Sequence, residues 1–171
     1  MHITIDCRMW GEKFGGIGRY TKEIVLYLII HKKWRFTLLY SPQAFKDLQS
    51  YQNKNIQLIP CNAKIFSLKE QWEIWKKVPR CDLFWSPYMN IPFIRTKAKK
   101  QVVTLHDVFH VANPQYYSKL KQIAIAPYYF FSTRNSNLIL TVSQFSKSEI
   151  QKYFGKRIAD KVSVVYNGCE I

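Results

Sequence analysis

A glycine-rich stretch beside an arginine is the first part of the chain that could do chemistry. Gly15-Gly16-Ile17-Gly18-Arg19 follows a short apolar run and opens a stretch with helical spacing. Glycines let a backbone come close to a ligand, and the free N–H groups that begin a helix attract an anion. The spacing departs from GxGxxG because the third glycine would fall at Thr21. Two interpretations stay open here, a phosphate contact and a simple tight turn.

The second candidate is His106-Asp107-Val108-Phe109-His110, just after another apolar run. A histidine at the carboxyl end of a parallel strand stands where α/β proteins usually bind ligands. The spacing fits neither HExxH nor a zinc pattern, so we expect no metal. The alternative is that Asp107 caps a turn and His106 is a hydrogen-bonded structural residue.

Two further loops carry polar side chains. The stretch 85–92 contains Pro87 and Pro92, which predict a stiff loop that presents Tyr88 and Asn90, and an aromatic ring beside an amide suits sugar binding. The hydroxyls of 141–146 are most simply helix caps. No Ser-His-Asp or Cys-His arrangement and no facing carboxylate pair can be argued. With only 11 acidic residues in the chain, hydrolase chemistry has little support.

The hydrophobic pattern predicts the elements that must position these loops. Nearly continuous apolar runs are typical of parallel strands buried on both faces. Periodic stretches between the runs predict helices. Pro127 lies inside one of them and should start or kink a helix there. Another begins with Ser146-Lys147-Ser148-Glu149, which has the spacing of a capping box. The expected strands are 2–7, 35–40, 56–60, 83–85, 101–105, 138–142 and 162–166, and the expected helices are 17–31, 42–51, 67–77, 117–134 and 146–154. This alternation predicts an α/β fold with a doubly wound, Rossmann-like parallel sheet of six or seven strands.

The predicted topology separates the loops into two sets. Loops that follow strands hold most of the Gly, Pro, Asn and His, and we expect them to meet at one edge. Loops that precede strands hold much of the net charge of +15, for example at 31–33, 95–100 and 156–161. Basic residues at helix C-termini are favoured by the helix dipole, so a solvated edge is one explanation and an anionic membrane surface is another. No nucleic-acid-binding pattern is present.

Composition limits the class of protein. The chain has 171 residues, 47% of them hydrophobic and 16% aromatic, which favours one globular domain over disorder. No secretory signal and no run of about 18 apolar residues is found. The four scattered cysteines are expected to be buried free thiols in a reducing compartment. We therefore expect a cytoplasmic protein, either free or peripheral at the inner face of the membrane.

Taken in order, these stretches resemble the retaining glycosyltransferases of family four, which have the GT-B fold. Each is weak alone, but five in the right order are fairly specific, and the resemblance spans nearly the whole chain. The stretches are Gly15-Gly16-Ile17-Gly18-Arg19-Tyr20, Glu70-Gln71-Trp72 before Ser86-Pro87, Val102-Val103-Thr104-Leu105-His106-Asp107, Thr141-Val142-Ser143-Gln144-Phe145-Ser146, and Val164-Val165-Tyr166-Asn167-Gly168.

The resemblance implies a role for each candidate residue. In that family an N-terminal Rossmann-like domain binds the acceptor, and a C-terminal domain binds the nucleotide sugar and carries two glutamates spaced eight apart. Residues 1–171 correspond to the N-terminal, acceptor-side half, and the donor-binding half has no counterpart in them. By resemblance, Gly15 and Gly16 approach the donor diphosphate and His106 lies beside the transferred sugar. Arg19, Tyr88 and Asn90 are expected to contact the acceptor or phosphate, and no metal or other cofactor is implied.

Two functions follow as hypotheses. The first is the acceptor-binding half of a transferase that moves a sugar from a nucleotide sugar to a cell-surface glycan or lipid-linked acceptor, as in polysaccharide biosynthesis. Its partners would be the acceptor and a C-terminal donor-binding domain or subunit. The second is a non-catalytic subunit that anchors a separate catalytic domain at a membrane. Under either hypothesis we expect the isolated chain to be inactive, because the donor is not positioned.

Overall fold

The computed structural model describes residues 1–168 and contains one sheet of seven parallel strands. The strands are β1 (His2–Asp6), β2 (Arg35–Tyr40), β3 (Ile56–Pro60), β4 (Leu83–Ser86), β5 (Lys100–Thr104), β6 (Leu138–Thr141) and β7 (Val162–Val164). They stand in the order β3-β2-β1-β4-β5-β6-β7. The chain therefore winds outward from β1 to one edge and then from β4 to the other. This is the predicted doubly wound α/β fold, and its topological switch point lies between β1 and β4.

The helices cover both faces of the sheet. They are α1 (Gly15–His31), α2 (Phe45–Leu48), α3 (Leu68–Lys77), α4 (Phe109–Ala112), α5 (Lys119–Asn135), α6 (Gln144–Phe154) and α7 (Lys156–Ala159). Val25 of α1 and Leu48 of α2 pack in one apolar cluster with Ile5 and Leu38. Residues from α3, α5 and α6 pack in a second cluster with Leu39 and Val103. Adjacent strand residues such as Leu38 and Leu39 thus belong to apolar clusters on opposite faces of the sheet, which explains the continuous apolar runs.

Several predicted boundaries shift by a few residues. Helix α1 begins at Gly15 rather than at residue 17, and the stretch 42–51 divides into a short α-helix between two 3-10 turns. Helix α6 is capped by Ser143, whose Oγ accepts from the N–H of Ser146 at 3.0 Å, so the predicted start at Ser146 was wrong. Helix α5 begins at Lys119 and runs through Pro127 without ending. The hydroxyl of Ser118 caps it, because Oγ accepts from the N–H of Lys121 at 3.3 Å.

Two sequence expectations concern compartment and membrane. Cys7, Cys61 and Cys81 are buried free thiols, as predicted, whereas Cys169 lies outside the described residues. Across residues 1–168, none of the helices combines the length and the apolar character needed to cross a membrane.

Candidate functional site

A buried ion cluster stands at the switch point, directly after β1. The guanidinium of Arg8 is 1% exposed and donates from Nε to Oδ1 of Asp6 at 2.8 Å. Its Nη1 donates to Oε1 of Glu70, at the start of α3, at 2.5 Å. Its Nη2 donates to Oδ2 of Asp6 at 2.6 Å and to the hydroxyl of Tyr88, after β4, at 2.5 Å. One cation therefore joins three segments that are far apart in sequence.

Further hydrogen bonds pair other polar atoms of the cluster. The hydroxyl of Tyr88 donates to Oδ2 of Asp6 at 2.8 Å, and Oε2 of Glu70 accepts from the N–H of Phe66 at 2.7 Å. Burial raises the pKa of Glu70, and the Arg8 charge opposes that shift. Burial also holds the pKa of Tyr88 well above its ordinary value. The arrangement makes this cluster a rigid support for the loops at the switch point, since a paired and hydrogen-bonded buried charge is costly to disturb.

Tyr88 and Asn90, predicted to contact an acceptor, both point inward in this structure. Tyr88 is 1% exposed and Asn90 is fully buried. Oδ1 of Asn90 accepts from Nε2 of Gln71 at 2.8 Å, and Oε1 of Gln71 accepts from the N–H of Phe93 at 3.2 Å. Asn90 thus anchors the loop after β4 to α3, and Tyr88 anchors the same loop to Arg8 and Asp6. An acceptor contact by either side chain stays a prediction, and it would require the loop to rearrange.

His106 lies at the carboxyl end of β5 and is half-buried. Its Nε2 stands 2.9 Å from the carbonyl oxygen of Pro87. A carbonyl can only accept, so this contact places the ring proton on Nε2 and leaves Nδ1 as the basic atom. Burial lowers the pKa of His106, which the Pro87 carbonyl and Asp107 partly offset. The imidazole is therefore neutral near pH 7 and able to accept a hydrogen bond or a proton.

The hydroxyl stretch 141–146 supports His106 rather than forming a separate site. Oγ1 of Thr141 donates to the carbonyl of Leu105 at 2.7 Å. Oγ of Ser146 donates to the carbonyl of His106 itself at 2.9 Å. The predicted role of these hydroxyls was helix capping, and Ser143 does cap α6, but two others fix the backbone of the histidine loop. Two of the predicted motif loops are thereby brought together.

The glycine stretch lies at the N-terminus of α1, beside an open cavity of about 760 Å³. Gly15 has φ +56°, a backbone conformation that favours glycine. Around Gly16 there is open space, since no atom lies within 4 Å of the position a Cβ would take. Gly16 and Arg19 line the cavity together with residues 165–168, the end of the last predicted motif.

Gly18 has a structural role that the sequence pattern did not reveal. A Cβ at Gly18 would stand 1.9 Å from the carbonyl oxygen of Gly11 and 2.9 Å from that of Met9. Helix α1 therefore packs directly against the loop after β1, and only glycine fits at that contact. The close approach fixes the start of α1 beside the switch point, where the positive end of the helix dipole can meet an anion.

Tyr20 connects the cavity to His106. It lines the cavity, and its ring stands perpendicular to the imidazole, with 4.7 Å between the ring centroids. Its hydroxyl lies 3.4 Å from Oγ1 of Thr104, on the strand that leads to His106. The site therefore consists of the N-terminus of α1, which is suited to an anion, and neutral His106, with the ring of Tyr20 in contact with the imidazole. In residues 1–168, His, Cys, Asp and Glu side chains nowhere gather in a group of three that could hold a metal ion.

The comparison with protein families agrees with this arrangement. Residues 14–171 match the model of Glycosyltransferase Family 4, so nearly the whole chain is covered, and the chain belongs to that family. Its fold and motif loops define an α/β Rossmann-like glycosyltransferase domain, consistent with one half of a GT-B enzyme. No curated protein matches the chain significantly.

Proposed function

We propose that this domain is the acceptor-side half of a retaining glycosyltransferase and that its substrates meet at the cavity beside α1. The observation that carries the proposal is the shared position of Gly16, Tyr20 and the segment 165–168 around one cavity, with the His106 imidazole in contact with the Tyr20 ring. A nucleotide sugar brings a diphosphate, and the N-terminus of α1 offers the backbone N–H groups of its first turn and the positive end of the helix dipole.

In the proposed reaction, an acceptor hydroxyl oxygen bonds to the anomeric carbon as the bond from that carbon to the diphosphate breaks. The hydroxyl proton leaves with the nucleoside diphosphate or passes to solvent, and the anomeric configuration is retained. Negative charge grows on the departing diphosphate, so fixed dipoles at the start of α1 would lower the barrier. Neutral His106 would hydrogen-bond the transferred sugar through Nδ1 and orient it toward the acceptor.

The donor nucleotide would be held mainly by a second, C-terminal domain or subunit of the same family. The acceptor would be a hydroxyl of a cell-surface glycan or of a lipid-linked sugar. Gly15, Gly16 and Arg19 fit this proposal because they lie at the start of α1, with Gly16 and Arg19 on the cavity wall. Tyr88 and Asn90 would contribute indirectly, because they fix the loop after β4. The Pro87 carbonyl of that loop is hydrogen-bonded to His106.

The test uses the domain joined to a donor-binding half of the same family, with release of nucleoside diphosphate as the readout. His106→Ala should lower kcat about ten- to a thousandfold, the range expected if the imidazole contributes about 1.4–4 kcal/mol in the transition state. His110→Ala is the matched control, because His110 lies on α4 and packs against Tyr117 and Tyr129. The 171 residues alone should show no transfer.

Melting temperature is measured on the same preparations. A stable His106→Ala variant with low kcat supports the proposal. If that variant melts early but keeps its activity per folded molecule, His106 has a purely structural role and the proposed chemistry is wrong.

A further inference from the structure

Helix α5 is apolar on the face that points to solvent. Its buried side is formed by residues such as Tyr128, Tyr129 and Ser132. On the other side, Leu120 is 81% exposed, Ile123 71% and Phe130 46%. Positions 120, 123, 127, 130 and 134 are three or four apart and therefore share one face of the helix. The stripe from Leu120 to Arg134 is about 21 Å long at 1.5 Å per residue.

Positive charge flanks this stripe at both ends. Lys119 and Lys121 stand at its N-terminal end, and α5 contains no Asp or Glu. At the C-terminal end, the guanidinium of Arg134 lies over the ring of Phe130, 4.5 Å from its centroid. An exposed apolar stripe between basic groups matches the chemistry of an anionic bilayer. The apolar side chains would contact the acyl chains, and the basic groups would contact the lipid phosphates.

A basic pocket adjoins the C-terminal end of the stripe. Its volume is about 540 Å³, and its walls include Phe130, Arg134, Arg157 and Lys161. Nζ of Lys161 donates to the carbonyl of Ser136 at 3.2 Å, which fixes the ammonium at the end of α5. Burial lowers the pKa of Lys161, and the charges of Arg157 and Arg134 lower it further. Arg134, Arg157 and Lys161 thus line one pocket together with aromatic rings, and an anion between the three cations would relieve their repulsion.

We propose that the outer face of α5 docks on an anionic phospholipid bilayer and that the basic pocket takes a lipid headgroup phosphate. A second copy of the chain fits the stripe poorly, because a symmetric contact would place the same basic groups against each other. The basic pocket shares no lining residue with the cavity beside α1. In the intact enzyme it would hold the domain where a lipid-linked hydroxyl is available.

The test is flotation of the chain with vesicles of phosphatidylcholine alone or of phosphatidylcholine with one-quarter phosphatidylglycerol, in the absence of donor and acceptor. We expect binding to the anionic vesicles at low salt, a steep fall as salt rises, and little binding to neutral vesicles. Arg157→Gln should weaken binding about fivefold, as expected for one basic charge near the surface. Ile123→Gln should weaken it about tenfold through lost apolar burial.

Matched controls test the position of the surface. Ile30→Gln removes an apolar side chain of similar exposure on α1, 65% against 71% for Ile123. Lys54→Gln removes an exposed charge before β3. Neither should change binding. Equal loss in the controls, salt-independent binding, or no binding at low salt would overturn the proposal. So would sedimentation that shows a dimer in the absence of vesicles, if Ile123→Gln dissociates it.

Discussion

The ring of Tyr20 stands at 86° to the imidazole of His106, with 4.7 Å between their centroids. The tyrosine ring, which also lines the cavity, thereby packs edge-to-face against the imidazole. Burial is the main reason that the pKa of His106 is lowered from its ordinary value of 6.5, and the Tyr20 ring is one of the groups packed against it. The relationship connects a residue of α1 to the loop after β5 and has a direct consequence for pH dependence.

We expect the kcat of the complete enzyme to be flat above about pH 6.5 and to fall only as the pH drops through the lowered pKa of His106. The sign follows because the folded state favours neutral imidazole, so any stability from this group is also present above 6.5 and lost on acidification. Tyr20→Ala rehydrates the ring and should move the acid limb up toward pH 6.5. Tyr20→Phe keeps the ring and should leave the limb in place. A pH–rate profile with the same limb in all three proteins would contradict this contribution of the Tyr20 ring.

The glycines of α1 should separate stability from ligand binding. Gly18→Ala places a Cβ against the backbone of Gly11 and should lower the free energy of unfolding by about 1–3 kcal/mol or more. Gly16→Ala meets open space, and alanine is about 0.5–1 kcal/mol better in a helix, so stability should hold or rise. Urea unfolding of both variants measures this difference. Equal destabilisation by the two alanines would be inconsistent with the close approach at Gly18.

Gly16 should show its importance in donor binding. Gly16→Val in the complete enzyme fills space beside the N-terminus of α1, where the donor diphosphate is proposed to bind. We expect a higher KM for the donor together with a lower kcat, while the melting temperature changes little. Unchanged kinetics in a folded Gly16→Val enzyme would remove this glycine from the site.

Arg8 should be among the most sensitive positions for stability. Arg8→Met removes the cation between Asp6 and Glu70, both fully buried, and should cost about 3–5 kcal/mol because two carboxylates lose their partner. The double variant Arg8→Met/Glu70→Gln should recover part of the loss, since one uncompensated charge is gone. Urea unfolding is the measurement, with exposed Lys54→Met as the control, expected within about 0.5 kcal/mol. A loss below about 1 kcal/mol for Arg8→Met would show that the cluster contributes little to the stability of the fold.

The sequence alone determined the sheet and the edge at which its motifs lie. Strands buried on both faces leave continuous apolar runs, such as those at β5 and β6, and strand alternation with helices implies parallel pairing. The carboxyl ends of such strands meet at one edge, so the glycine stretch, the His106 loop and the segment 141–146 could be expected there. These features depend on residues that are close together in the sequence, so the sequence alone is enough to predict them.

The tertiary structure alone decided which side chains face one another. Arg8 meets Glu70 across 62 residues and Tyr88 across 80, and no periodicity records such a pairing. Tyr88 and Asn90 looked like surface residues because their loop is polar and stiff, yet the buried cluster and Gln71 draw them inward. Similarly, the sequence predicted a helix at 117–134 but not which of its faces is buried, because apolar residues occur on both sides of it. Only the packing of one face on the sheet leaves Leu120 and Ile123 exposed, because which face is buried depends on contacts distant in sequence.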